Sequence, residues 1–233
     1  MARTHFSKDS FCHGPISFES LWHNAEPFLS RAPRHFGLFY VTLCLVLSLP
    51  SRAADRVTDA TSVRQRVKNF SLADHEGKMR ELYRQSEARA VVLIFTTTGC
   101  PIVQKSVPKI KALRDEFAAK GVIFWLINST AQDDPASIRD EAREFAIDLP
   151  ILLDRSQAVA RSLKATRTAE AFCIDPRSRT LFYRGAIDNQ FGYGSERKKI
   201  DHAYLQNALN HFLSGKKIDP ARTEVSGCRI QLD

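Results

Sequence analysis

The clearest pattern in the chain is a pair of apolar runs separated by an amphipathic segment. Residues 90–95 (AVVLIF) and 122–127 (VIFWLI) are continuously apolar, which is typical of central strands buried on both faces. Between them, apolar residues recur at three- and four-residue steps, so a helix is predicted over 101–120. These residues are Val103, Val107, Ile110, Leu113 and Phe117. Two parallel strands joined by a helix follow from this order.

Similar patterns predict further elements on both sides of this unit. They are strands at 67–72 and 149–153, a hairpin of 171–174 with 181–184, and helices at 135–145, 156–163 and 202–213. Asp134 and Ser156 are the predicted N-caps of the first two of these helices, and turn residues at 175–179 predict the hairpin. The order of elements predicts a three-layer α/β/α sandwich. An extended, irregular segment is predicted at 218–233.

The N-terminal part has the pattern of a secretory signal. An uncharged apolar run at 36–49 follows basic residues at Arg31 and Arg34, and small residues stand at Ser51 and Ala53. This arrangement predicts a signal peptide cleaved after Ala53. A membrane anchor is the alternative, although the run is shorter than the ~18–20 residues of a spanning helix. The predicted organisation is therefore an N-terminal extension with a signal peptide (1–53), a domain at 54–215 and a tail at 216–233. The protein is expected to be exported to the periplasm or an equivalent extracytoplasmic space.

Composition and charge exclude several classes of protein. With 43% hydrophobic and 26% charged residues in a chain of 233, the composition is that of a globular protein. The net charge of +8 is spread over short runs without a nucleic-acid motif, so no nucleic acid partner is expected. Five cysteines are too few for a disulfide scaffold. No Cys/His spacing fits zinc or copper, and no phosphate loop is present, so neither a metal nor a cofactor is expected.

Cys100 is the residue that points to chemistry. It follows the apolar strand 90–95 and the sequence Thr-Thr-Thr-Gly, and it stands immediately before the predicted helix. Unpaired backbone N–H groups and the helix dipole favour a negative charge at that position. Such placement lowers a thiol pKa from ~8.5 to as little as ~3.5–7.5. Cys100 is therefore predicted to be a nucleophilic thiolate that attacks disulfides or peroxides.

The segments around this cysteine resemble a known family. FTTTGCP, GVIFWLINST, LLDRSQAVARSLKATRT and YRGAIDNQFGYG are similar to segments of the thioredoxin superfamily, and in particular to its exported redoxin branch (alkyl hydroperoxide reductase/thiol-specific antioxidant, AhpC/TSA). The resemblance covers roughly residues 65–215. It implies a thioredoxin-like fold, antioxidant or oxidoreductase activity at Cys100, and an external thiol reductant.

Three positions depart from the patterns that the resemblance implies. Val103 stands where a dithiol reductase has its second cysteine, and Leu93 stands where a peroxiredoxin has proline. Thr97 matches the peroxiredoxin threonine three residues before the cysteine, which implies a part in binding a peroxide. Ala169 occupies the place of the superfamily's cis-proline. Because a non-proline cis bond costs ~2.5–4 kcal/mol, we expect this loop to be trans or reshaped.

Two further residues are candidates for the reaction. The resemblance suggests that Cys228, in a Gly-Cys-x-Ile tail, folds back and resolves an oxidised Cys100, as resolving cysteines do. A free or structural tail thiol is the alternative. Arg167 precedes the loop expected to face the thiol, where it would hold the thiolate or a substrate anion, or simply lie at the surface. Cys173 lies in an apolar strand and is predicted to be a packing residue.

The sequence thus predicts an exported thiol-dependent redox protein with Cys100 as its nucleophile. Its substrate would be a peroxide or a protein disulfide or thiol, and a membrane would be a partner only if the signal stays uncleaved. The alternative is a binding or scaffold module that keeps the fold without turnover, which is favoured by the missing CxxC cysteine and the missing cis-proline.

Overall fold

Strands and helices alternate along the computed structural model, which describes residues 63–192 and 194–232. In chain order the strands are β1 (Ser71–Ala73), β2 (Met79–Glu81), β3 (Ala90–Thr96), β4 (Val122–Asn128), β5 (Ile151–Leu153), β6 (Ala171–Asp175), β7 (Thr180–Gly185), β8 (Phe191–Gly192) and β9 (Ser195–Glu196). The helices are α1 (Pro101–Ala118), α2 (Pro135–Glu144), α3 (Ala158–Leu163) and α4 (Tyr204–Leu213), with a short 3₁₀ turn at Tyr83–Gln85.

The central sheet has the strand order β5-β4-β3-β6-β7. Strands β3, β4 and β5 run parallel, and the hairpin of β6 and β7 adds two antiparallel strands at one side. The predicted parallel unit and hairpin are therefore confirmed, and so is the α/β sandwich. Because β3 is the middle strand, its carboxyl end lies at the centre of the sheet edge, where Cys100 follows.

Alternate side chains of the central strands enter two separate cores. On β3, Val92 and Ile94 pack with α1, α2 and α4, whereas Leu93 and Phe95 face the opposite side with α3. This period-two division is what a strand buried on both faces requires. The second core is completed by the N-terminal part of the domain and by Ile230, which is 7% exposed. The C-terminal tail therefore contributes to the packed fold.

Two local predictions were wrong. The early strand expected at 67–72 begins later, because β1 pairs with β2 as a hairpin around the buried carboxylate of Asp74. At α3, the N-cap residue is Gln157, not Ser156, and Asp154 supplies the capping carboxylate. Its carboxylate accepts the N–H groups of Val159 and Ala160 and is fully buried. Asp134 is confirmed as the N-cap of α2.

The predicted signal peptide, with its apolar run at 36–49, lies outside the described residues. Within residues 63–192 and 194–232, no helix is both long and apolar enough to cross a membrane.

Candidate active site

Cys100 stands at the junction of the central strand and the first helix, as predicted. It is the N-cap residue of α1 and is only 2% exposed. Its N–H donates to the carbonyl of Thr97, and its carbonyl accepts the N–H of Gln104 in the first helical turn. The sulfur therefore lies at the N-terminus of an eighteen-residue helix, where the helix dipole favours a negative charge.

The loop before β6 faces Cys100 from the neighbouring strand. The N–H of Ala169 donates to the carbonyl of Phe95, and the N–H of Phe95 donates to the carbonyl of Glu170. The peptide bond before Ala169 is trans, as expected, and Ala169 takes a left-handed φ of 57°. The preceding residue, Thr168, is fully buried and faces Cys100. The Thr168 hydroxyl oxygen lies 3.0 Å from the Cys100 sulfur.

A third segment, which we call the C-terminal strap (residues 219–232), closes the site. It first pairs with the end of β7, where Arg184 exchanges backbone hydrogen bonds with Ala221 and Thr223. It then pairs with the loop before β6. There the Thr168 N–H donates to the Cys228 carbonyl, and the Ile230 N–H donates to the Thr166 carbonyl. The strap therefore binds in the manner of an added strand, not as a flexible tail.

Glycines allow the strap to approach this closely. A Cβ atom on Gly227 would lie 1.7 Å from the carbonyl oxygen of Thr168. A Cβ atom on Gly185 would lie 2.1 Å from the hydroxyl oxygen of Thr223. Both distances are far below any van der Waals contact, so side chains at either position would force the strap away from the domain.

The strap places Cys228 directly beside Cys100. The two sulfurs are 2.7 Å apart, and no disulfide bond joins them. A disulfide bond is about 2.05 Å long, so bond formation needs only a small movement. The tail cysteine that the resemblance suggested is thus next to the predicted nucleophile.

The surroundings shift the pKa values of these two thiols in opposite directions. Burial raises the pKa of Cys100, but hydrogen bonds from Cys228, Thr168 and the backbone N–H of Val103 outweigh this effect and lower its pKa below the ordinary value. Burial and the neighbouring Cys100 raise the pKa of Cys228. Of the pair, Cys100 therefore loses its proton first.

Cys173 takes no part in this site. It lies in β6, is fully buried, and pairs with Val92 and Tyr183 on the adjacent strands. Burial raises the pKa of its thiol well above the ordinary value. The prediction of a packing residue is confirmed. Within the described ranges 63–192 and 194–232, no three His, Cys, Asp or Glu residues are placed to hold a metal ion.

A small cleft opens beside the two cysteines. Ile102 and Ala169 pack in the same small cluster as Cys100 and also line the cleft, together with Phe191 and Val225. Its volume is about 20 Å³, which is room for about one water molecule. Ser106, Asp188 and Ser226 also line the cleft, so its wall is partly polar.

A model of the AhpC/TSA family matches residues 63–183, which is just over half of the 233 residues. The chain belongs to the AhpC/TSA family. The predicted family resemblance is therefore confirmed.

Relatives and solved structures agree with this family. ResA of Halalkalibacterium halodurans, a thiol-disulfide oxidoreductase, is 30% identical over 87 residues, which are 37% of this chain and 48% of that protein. The match thus spans about half the length of that relative. A hypothetical protein from Sinorhizobium meliloti superposes with a TM-score of 0.64 and 25% identity, over 72% of this chain and 93% of that one. A proposed thioredoxin from Neisseria meningitidis gives a TM-score of 0.52 at 15% identity, over 64% and 91%. The fold is thioredoxin-like, as predicted.

The two remaining candidates, Thr97 and Arg167, make other contacts in the structure. The hydroxyl of Thr97 bonds to Thr130 at 2.7 Å and to the carboxylate of Asp133 at 3.2 Å. Arg167 donates to the carbonyl of Gly227 at 2.9 Å, so its guanidinium group holds the strap. Its proposed contact with a substrate anion stays a prediction, as does the contact of Thr97 with a peroxide.

Two carboxylates that the sequence did not single out bind the loop before Cys100. Asp133 accepts the N–H of Thr98 at 2.7 Å, and Glu141 on α2 accepts the N–H of Gly99 at 2.9 Å. The backbone N–H groups of the two residues before Cys100 are therefore both hydrogen-bonded to carboxylates. Thr168, the hydroxyl that does contact the thiol, was also missed. Its only signal in the sequence was its place directly before Ala169.

Proposed function

We propose that this chain is an exported thiol-based oxidoreductase in which Cys100 attacks a disulfide and Cys228 resolves the product. The observation that carries the proposal is the 2.7 Å separation of the two sulfurs. The opposite pKa shifts of the pair support it, because they make Cys100 the nucleophile and leave Cys228 as the protonated partner. The relatives that are thiol-disulfide oxidoreductases also support it.

The reaction proceeds by two exchanges. The Cys100 thiolate attacks one sulfur of the substrate disulfide, the substrate S–S bond breaks, and the first substrate thiolate leaves with the electron pair. Cys228 gives up its proton and attacks the Cys100 sulfur of the mixed disulfide, which releases the second substrate thiolate. The substrate disulfide gains two electrons, and the protein dithiol becomes a Cys100–Cys228 disulfide. An external thiol reductant restores the dithiol by the same two steps.

The structure favours a disulfide over a peroxide as the substrate. A peroxide oxygen needs hydrogen-bond donors at the thiol, yet carboxylates occupy the N–H groups of Thr98 and Gly99. The hydroxyl of Thr97 is turned to Asp133, and Leu93 replaces the peroxiredoxin proline.

Peroxide reduction is the second candidate, and membership of the AhpC/TSA family favours it. In that reaction the Cys100 thiolate attacks the peroxide, the O–O bond breaks, and an alcohol or water leaves. Cys228 then attacks the resulting sulfenic acid, a disulfide forms and water is released. Both candidates end in the same Cys100–Cys228 disulfide. A binding module without turnover is the remaining alternative.

A non-reducing peptide map tests this proposal. The reduced full chain receives one equivalent of bis(2-hydroxyethyl) disulfide or, separately, one equivalent of hydrogen peroxide. We expect a Cys100–Cys228 peptide pair in the parent chain. In the Cys228→Ser chain we expect a mercaptoethanol adduct on Cys100 with the first reagent and a sulfenic acid with the second.

The rates at which Cys100 reacts with the disulfide and with hydrogen peroxide are compared to assign the substrate. The thiol is expected to react faster with the oxidant that its surroundings favour. A Cys100 that stays unmodified in both chains and with both reagents would remove the oxidoreductase and leave the binding module. A Cys100 adduct in the parent without any Cys100–Cys228 pair would remove Cys228 from the reaction.

Export is the part of the proposal that rests on the sequence pattern at 31–54 alone. If the full chain is expressed in a bacterial host, its form outside the cytoplasm is expected to begin at Ala54, as N-terminal sequencing would show. A chain found in the membrane fraction with residues 36–49 intact would support the anchor instead. An intact chain that remains in the cytoplasm would contradict export.

A further inference from the structure

The hydroxyl of Thr168 has a fixed hydrogen-bond direction. It accepts the backbone N–H of Cys228 at 2.9 Å and lies 3.0 Å from the Cys100 sulfur. A backbone N–H only donates, so the threonine oxygen is the acceptor in the first contact. A hydroxyl carries one proton, and a thiolate only accepts. When Cys100 is ionised, the single proton of Thr168 therefore points at its sulfur.

We propose that Thr168 is a catalytic residue which donates a hydrogen bond to the Cys100 thiolate, and that the docked strap aims this hydrogen bond through the backbone N–H of Cys228. This inference deepens the proposed function and rests on it, because it assigns the group that holds the nucleophile ready. It gives the strap a second role, which belongs to its backbone and not to the Cys228 thiol.

The strap both activates Cys100 and covers it. With the strap docked, Cys100 is 2% exposed, and Thr168 is held between the Cys228 N–H and the sulfur. When the strap leaves, the sulfur becomes accessible, but the Thr168 hydroxyl is free to rotate and the N–H of Cys228 departs. The pKa of Cys100 is consistent with this arrangement, since the hydrogen bond from Thr168 is one of those that oppose the rise caused by burial. The docked strap thus activates the Cys100 thiol and at the same time blocks access to it.

Other charged groups around the thiol stay the same in the variants proposed below. Arg167 of the loop before β6 is hydrogen-bonded to the strap, and Asp188 lines the same cleft as Ile102. Asp133 and Glu141 hold the loop before Cys100. A change at Thr168 removes one hydroxyl and leaves these four charges in place, so a shift in the titration of Cys100 reports the hydroxyl.

Alkylation of Cys100 at a series of pH values separates the two effects of the strap. The full chain carries Cys228→Ser, which keeps the backbone N–H of residue 228 and removes the competing thiol. Iodoacetamide labels the chain, and mass spectrometry follows the peptide that contains Cys100. The pH of the inflection gives the pKa of Cys100, while the plateau rate at high pH gives its accessibility.

Three variants in this background test the inference. Thr168→Val keeps the shape and removes the hydroxyl, so the inflection is expected to rise by about one pH unit at an unchanged plateau, as loss of one hydrogen bond to a charged group implies. Thr168→Ser restores the hydroxyl and is expected to restore the inflection. Gly227→Ala drives the strap away from Thr168, whose carbonyl oxygen would lie 1.7 Å from the new Cβ. It is expected to raise the plateau and the inflection together.

An unchanged inflection in Thr168→Val would overturn the role of the hydroxyl. If the plateau rises in Gly227→Ala without a shift of the inflection, the strap does not aim the hydrogen bond. Should Thr168→Val fail to fold, by circular dichroism, the Gly227→Ala result decides alone, since that substitution leaves Thr168 intact. None of these measurements needs a Cys100–Cys228 disulfide. Failure of the proposed function would appear in the peptide map of the parent chain, and failure of this inference in the inflections.

Discussion

A Cys228→Ser chain is expected to lose steady-state turnover of a disulfide by a factor on the order of 10² or more, although its first reaction at Cys100 still proceeds. The physical reason is proximity. In the parent chain the resolving sulfur is 2.7 Å from Cys100, whereas an external thiol at millimolar concentration must find the mixed disulfide by diffusion. The measurement is the release of mercaptoethanol from bis(2-hydroxyethyl) disulfide under a limiting external thiol. In the variant, one equivalent is released rapidly and the second slowly.

Two other substitutions serve as controls for this experiment. Cys173→Ala removes a buried thiol that faces neither sulfur and is expected to keep both phases of release. Cys100→Ser is expected to abolish both phases, because no nucleophile remains at the end of α1. Equal turnover in Cys228→Ser and the parent chain would mean that an external thiol resolves Cys100. The strap would then have only the structural and activating roles.

The parts of the fold that were predicted from the sequence are those fixed by local patterns. The run 90–95 is apolar at every position because β3 is covered on both faces, and this pattern places the central strand. Asp134 and Pro135 mark the start of α2 by local capping chemistry. The early strand was placed wrongly, since β1 is set by pairing with β2 around Asp74. The pairing of these two strands depends on the folded structure, and no periodicity in the sequence predicts it.

The candidate site likewise contains residues that local sequence patterns predict and residues that only the folded structure brings together. Cys100 was found because its position at a strand-to-helix junction is a local feature. Cys228 lies 128 residues further along the chain, and only the family resemblance suggested a role for it. Thr168, Asp133 and Glu141 were missed because ordinary residue types at ordinary positions carry no signal until the fold brings them together. The sequence next to Cys228 did hold one clue, since Gly227 allows the backbone contact that docks the strap.

The loop that carries Thr168 depends on one buried ion pair. The Nε atom of Arg184 donates to Glu170 at 2.6 Å, and the two side chains are 13% and 6% exposed. The same guanidinium group donates to the carbonyls of Leu163 and Lys164 and lies over the ring of Phe172. The backbone of Arg184 also pairs with the strap. One residue thus links the loop before β6, the end of α3 and the strap.

Arg184→Met is therefore expected to lower the free energy of unfolding by about 3–5 kcal/mol, because it leaves the carboxylate of Glu170 buried without its counter-ion. Glu170→Gln in the same chain removes that charge, and the double variant is expected to recover a large part of the loss. Urea unfolding of the reduced full chain, followed by circular dichroism, measures both variants against the parent. If Arg184→Met unfolds within about 1 kcal/mol of the parent, the pair contributes no more than an exposed salt bridge. The loop before β6 would then owe its position to its backbone pairing with Phe95 and with the strap.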